Sequence, residues 1–168
     1  MKIPVFVSSP TSLTAVQENA RKRIVDLMDE LGFEPRALGR SDYPSGFPLK
    51  EVLVIAKHCA GGVILGFEQF YTTSGIWKRG TKNEKTQTND LFIPTPWNNL
   101  ESGILFALNK PLIVFKESNI SGGIFDNGVS DVFIHQMPMG NISKDVKQVL
   151  KETVLNWQRK VRANYYGD

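Results

Sequence analysis

The sequence predicts an α/β protein, a doubly wound parallel sheet of about five strands with helices packed on both faces. Two observations predict it. Short apolar, β-branched runs (Ile3 to Val7, the VILGF run that ends at Phe67, Leu112 to Phe115) alternate with longer segments whose apolar residues recur every three or four positions. The chain has 168 residues, 41% of them hydrophobic, enough for one domain over 1–168 to bury a full core without disulfides or metals.

Each element has its own signal. Ile3 to Val7 reads as a strand, and SSPTS then supplies turn residues and an N-cap. In the helix that follows, Ala20, Ile24, Leu27, Met28 and Leu31 keep helical spacing until Gly32 ends it. Phe33 to Leu38 is a second strand, which Pro35 makes short or places at a sheet edge. Pro48 suits a first helical position, and that helix runs through Val52, Ile55 and Ala56 to about Cys59 before Gly61-Gly62 releases the third strand.

Residues 68–95 are polar and aperiodic, which marks an insertion expected to be a mobile lid or an oligomer arm, with Trp77 and Phe92 as anchors. A helix from about Asn98 to Leu108, a strand over Leu112 to Phe115, a strand over Val132 to His135 and a last helix from about Ser143 to Ala163 complete the alternation.

Composition narrows the function. No apolar run approaches the ~20 residues of a membrane span, so no membrane role is expected. The short apolar start does not make a secretory signal, which together with the lone Cys59 predicts a cytoplasmic protein. Cys59, His58 and His135 lack a zinc-ligand spacing, so neither metal nor cofactor is expected. The net charge of +3 is too small to bring the chain to nucleic acid, and the basic residues near Lys78 and near Arg159 follow no binding motif.

Ligands of an open parallel sheet bind beyond the carboxyl ends of its strands, where the strand order reverses. That rule selects Ser8, Ser9 and Pro10 after strand one, Arg40, Ser41, Asp42 and Tyr43 after strand two, and Gly66, Phe67 and Glu68 after strand three. Glu101, reached through the insertion, falls on the same edge. Asn98 and Glu101 fit a capping box, with Asn98 in the cap position. The run from Leu100 to Leu108 shows no obvious solvent face, so Glu101 opens a buried element and its acidity is tuned by burial or by the helix start, as a nucleophile or acid/base residue requires. Gly103 would let a ligand or a strand approach the helix closely.

The strands VFVSSP and GGVILGF, and above all WNNLESGILFALNKPLIVF, resemble the nucleoside 2-deoxyribosyltransferase-like and TIR-like superfamily, whose fold is a flavodoxin-like three-layer sandwich. Glu101, Gly103, Ala107, Lys110 and Pro111 match its helix-start glutamate motif residue by residue. The resemblance implies an enzyme that cleaves an N-glycosidic bond in a nucleoside, nucleotide or NAD-like molecule, with Glu101 as nucleophile. It implies that Ser8 and Ser9 bind sugar or phosphate, that Asp42 and Tyr43 contact ribose or base, and that Trp97 or Phe67 stacks on the base. It also implies a homo-oligomer. Two aspartates of the transferase pattern are replaced here, by Thr95 and by Gly66. A TIR-like NAD-cleaving defence effector and a non-catalytic nucleotide-sensing module are the alternatives.

Overall fold

The structure is a computed structural model, and it describes residues 1–42 and 46–167. Five parallel strands form the central sheet: β1 (Ile3–Ser8), β2 (Phe33–Arg36), β3 (Gly62–Gly66), β8 (Leu112–Lys116) and β9 (Ile134–Gln136), in the order β2-β1-β3-β8-β9. The order reverses direction at β1 and β3. β2 is an edge strand, which Pro35 tolerates because an edge leaves one row of N–H groups unused. It stops at Arg36, two residues before the expected Leu38.

Alternation along the buried strands splits the core in two. Val5, Val7, Val63, Leu65, Ile113 and Phe115 face α1 (Ala15–Glu30) and α4 (Lys144–Tyr166). Phe6, Ile64, Leu112 and Val114 face α2 (Pro48–His58) and α3 (Pro96–Ala107). Both faces are apolar because both carry helices. Gly66 belongs to this packing: a Cβ there would come within 2.4 Å of the Phe125 ring.

Local signals fix the helix ends. Thr14, not a residue of SSPTS, caps α1, in a capping box completed by Gln17. Ser143 caps α4, which continues through the tyrosines to Tyr166, three residues past the expected Ala163. β9 starts at Ile134, later than the expected Val132.

The insertion is not a structureless loop. β4 (Phe70–Thr72) pairs antiparallel with β7 (Leu91–Ile93), and β5 (Gly75–Trp77) with β6 (Lys85–Gln87), making a two-stranded arm. Phe92 holds its base, half-buried against Tyr71 at 5.2 Å and bridged to Ile120. Trp77 does not anchor the arm to the body: it is exposed and donates Nε1–H to Gln87 at 2.9 Å. No helix among the described residues is long and apolar enough to cross a membrane.

Candidate active site

Helix α3 begins earlier than its sequence pattern suggests, and this changes the role of Glu101. Thr95 is the N-cap, its hydroxyl accepting from the Trp97 N–H, and Pro96 fills the first helical position. Asn98 therefore sits inside the first turn and Glu101 in the second, so the Asn98–Glu101 capping box does not form. The capping function falls to the residue that replaces the aspartate of the resembled pattern.

The buried stripe of α3 is Asn98, Glu101, Ser102 and Leu105, spaced three, four and seven positions along one helical face. Where α2 turns Val52, Ile55 and Ala56 to the core, α3 turns three polar residues followed by one leucine. The opposite face is exposed and largely apolar, with Leu100 and Phe106 in solvent and no atom within 4 Å of a Cβ built at Gly103. Neither a fully buried helix nor a close approach at Gly103 is realised among the described residues.

Strand parity brings Ser8 to that polar stripe. It shares the face of Phe6, toward α3, and is fully buried. Asn98, also fully buried, donates from Nδ2 to Ser8 Oγ at 2.7 Å and more loosely to the Ser8 carbonyl at 3.4 Å, while its Oδ1 has no partner among the described residues. Glu101, 8% exposed, lies at this cluster. Burial pushes its carboxyl up to about 7, and the Ser8 hydroxyl, acting as a hydrogen-bond donor, opposes that rise. No charged side chain contributes to the shift.

Glu101 opens onto a cavity of about 300 Å³. Ser9, Pro10 and Thr11 from the β1–α1 loop form one wall, Leu38, Gly39 and Pro48 another, and Gln69, Thr95 and Trp97 complete it. Glu101 is the lone ionisable group among these described lining residues. A larger groove of about 600 Å³ borders Leu112 and Lys110 at the amino end of β8, opposite the edge where the strand-end loops converge.

The other residues selected from the sequence are distributed unevenly. Ser9 and Trp97 line the cavity with Glu101. Ser8 and Asn98 stand behind Glu101, away from the cavity surface. Phe67 is fully buried in the α1/α4 core, and Gly66 packs under Phe125. Asp42 does not face the cavity: it pairs with Arg36, whose Nε lies 2.9 Å from Oδ2, and accepts from Ser41 Oγ at 2.8 Å. Arg36 beside it holds the Asp42 carboxyl below its ordinary value. Tyr43 lies outside the described residues.

Thr11, Leu38, Pro48 and Gln69 are lining residues that strand-end reasoning did not select. Pro48 had a signal, because a helix that begins at the strand-end edge presents its first turn there. Arg40 shapes the wall indirectly, donating to the Pro10 carbonyl at 2.8 Å and to the Thr11 carbonyl at 3.2 Å while paired with Glu18. A further carboxylate, Glu117, is consumed structurally: it accepts the Glu68 N–H at 2.6 Å and Gln17 Nε2 at 3.2 Å, tying the ends of β3, β8 and α1.

No protein-family model matches the sequence, and no curated protein matches it. Among solved structures, the chain is similar to a CMP N-glycosidase from Clostridium botulinum, BcmB, with a TM-score of 0.50 and 19% identity over 89% of this chain and 98% of that one. The fold is flavodoxin-like. A flavo di-iron protein from Thermotoga maritima is similar over 95% of this chain and 36% of that one, with a TM-score of 0.53 and 15% identity. The apo form of the NADH:FMN oxidoreductase EMOB is similar over 93% and 87% of the two chains, with a TM-score of 0.50 and 14% identity. Proteins with different chemistries thus share this flavodoxin-like layering, and function has to be argued from the site.

Proposed function

We propose that the protein is an N-glycosidic-bond-cleaving enzyme acting on a nucleoside or nucleotide, with Glu101 as the nucleophile. The observation that carries this reading is the Glu101 carboxyl itself, buried without a cation at the wall of a strand-end cavity and titrating near neutrality. The likeness in fold to a CMP N-glycosidase is consistent with it.

The chemistry follows from the environment. As the C1′–N bond breaks, its electron pair leaves with the base nitrogen, which takes up a proton from solvent, and positive charge develops on the sugar. The Glu101 carboxylate stabilises that charge and bonds to C1′; water then delivers hydroxide to the carbon, returns its proton to solvent and frees the carboxylate. The poorly hydrated setting strengthens the attraction between carboxylate and sugar cation. In this reading Ser9, on the cavity wall, binds the sugar, and Trp97 offers a face for the base. With no lysine or arginine among the described lining residues, the cavity receives the uncharged sugar and base, and a substrate phosphate projects beyond it. Its volume lies near the lower end for small-molecule sites, which favours one nucleoside unit over a dinucleotide.

Incubating the protein with nucleosides, 5′-monophosphates and NAD, and following free base or nicotinamide by chromatography, tests the reading. Wild type should release a free base, and Glu101→Gln should lose at least about a thousandfold in rate, the scale of a deleted nucleophile. Equal traces from the two proteins would overturn it. Ligand binding by calorimetry with no product would favour a nucleotide-sensing module.

The arm supports self-association. Phe70, Tyr71, Ile76 and Trp77 are exposed on β4 and β5, each of which pairs with a single arm strand among the described residues, an arrangement marginal in water by itself. Light scattering should give a multiple of the 18.8 kDa chain mass, reduced by Ile76→Lys with Trp77→Lys. A monomeric wild type would exclude the oligomer.

A further inference from the structure

We infer that the tip of the arm, together with Trp77, binds single-stranded nucleic acid, its lysines and arginine taking phosphates and the indole taking a base. A net charge of +3 spread over the whole surface would attract no polyanion, and on that ground the sequence predicts no such partner. The fold does not spread it. The segment from Lys78 to Lys85 holds four cations, Lys78, Arg79, Lys82 and Lys85, and one anion, Glu84, a net of +3 that equals the charge of the entire chain. Outside that segment, cations and anions are equal in number.

The cations of the tip are displayed and not neutralised. All four are exposed, and none forms an ion pair among the described residues, whereas on the body Lys2, Arg21, Lys22, Arg36 and Arg40 do. Glu84 gives its carboxylate to the tip backbone, accepting the Gly80 N–H at 2.6 Å. The turn is closed by the Thr81 N–H donating to the Lys78 carbonyl at 3.1 Å and the Glu84 N–H donating to the Thr81 carbonyl at 3.0 Å. The charges therefore ride on a hydrogen-bonded turn, which lowers the entropy lost when a ligand orders them.

Strand register adds an aromatic platform. Trp77 lies directly opposite Lys85, and Gly75 opposite Gln87, so these four share one face of the β5–β6 ribbon. Trp77 donates Nε1–H to Gln87 Oε1 at 2.9 Å, which holds the exposed indole along that face, and Gly75 brings no side chain to cover it. A fixed indole beside exposed cations suits a single strand, whose bases stack on the ring while its phosphates meet the charges. Ile76 and Thr86 occupy the opposite face, which is the one left for contact between copies. An anionic membrane is the poorer match, since the segment from Lys78 to Lys85 has no large apolar side chain to enter lipid.

The inference is independent of the reaction assigned to Glu101 and is tested without it. Fluorescence polarisation with a labelled single-stranded DNA of about 16 nucleotides, over about 50 to 200 mM salt, reads both parts of the surface. Wild type should bind at about 100 μM or tighter at the lower salt, and its affinity should fall with salt at a log–log slope of about −2 to −3, as for three or four phosphate contacts. Lys78→Ala, Arg79→Ala, Lys82→Ala and Lys85→Ala combined should weaken binding at least about tenfold and flatten the slope. Trp77→Phe and Trp77→Leu both lose the bond to Gln87, but only the first keeps a ring. The leucine variant should therefore bind about tenfold more weakly than the phenylalanine variant, with the slope unchanged. No binding by wild type, undiminished binding by the combined variant, or equal binding by the two Trp77 variants would overturn the inference. Tighter binding to phosphatidylserine vesicles than to the oligonucleotide would make the partner a membrane surface and overturn it as well.

Discussion

Glu101 and Asp42 sit on neighbouring segments at the carboxyl edge of one sheet, and their surroundings drive them in opposite directions. Asp42 faces an arginine and a serine hydroxyl, and Arg36 holds its carboxyl low. Glu101 has one serine hydroxyl and no charged side chain acting on it, and burial holds its carboxyl high. Backbone register explains the contrast. Arg36 ends β2, where the chain turns back on itself, and the Ala37 carbonyl accepts from both the Ser41 and Asp42 N–H groups, so a carboxylate at 42 meets a guanidinium at once. Glu101 projects from α3 onto the end of β1, where the sheet offers it a hydroxyl and no cation. A paired carboxylate stabilises a loop; an unpaired buried one is available for chemistry.

The largest effect that tests this contrast is on stability. The folded Glu101 carboxyl titrates at about 7, above its unfolded value of 4.5, so the folded chain holds a proton that the unfolded chain has released between those limits. Wild-type stability should therefore fall as pH rises through that window, by on the order of 3 kcal/mol at pH 8. Glu101→Gln has no proton to lose. Denaturant melts at pH 4 and pH 8 should find the variant increasingly more stable than wild type toward alkaline pH, while it loses its activity. A constant difference between the two proteins would mean that Glu101 is not buried as described.

Asp42→Asn should behave in the reverse manner and more weakly. Its folded pKa is depressed, so the stability it contributes is present above its unfolded value of 3.8 and disappears as the pH falls through the folded value. At neutral pH the variant should lose about 1 kcal/mol, because Arg36 is partly exposed and solvent weakens the pair. It should keep activity within about tenfold of wild type, as it loosens a loop rather than the reacting group. A loss of activity equal to that of Glu101→Gln would make Asp42 a direct participant and erase the contrast.

Much of this was legible in the sequence because it rests on local repetition. Alternating strands, helical spacing and the strand-end rule lead to a parallel sheet and to Glu101 without reference to any distant contact. The strands within the insertion were not legible: they have three residues each, too short for a period-two pattern. The start of α3 was misread because Asn98 and Glu101 mimic a capping box, although Thr95-Pro96, a cap residue before a proline, carried the better signal. Ser8 and Asn98 were found for a reason that the structure changes. Strand-end position selects Ser8 and the apparent capping box selects Asn98, but only parity and burial reveal that they stand behind the carboxylate. Asp42 needed its partner, and nothing in the pattern around Arg36 announces a bidentate contact.

One experiment reads both members of the comparison at once: carbon-13 NMR of the side-chain carboxyls of wild type, titrated from acid to alkaline pH with Glu101 and Asp42 assigned by Glu101→Gln and Asp42→Asn. The account predicts a Glu101 midpoint of about 7, with Asp42 titrating below its ordinary value of 3.8. A Glu101 midpoint near the ordinary 4.5 would contradict it, since the carboxylate would then be an ordinary solvated one.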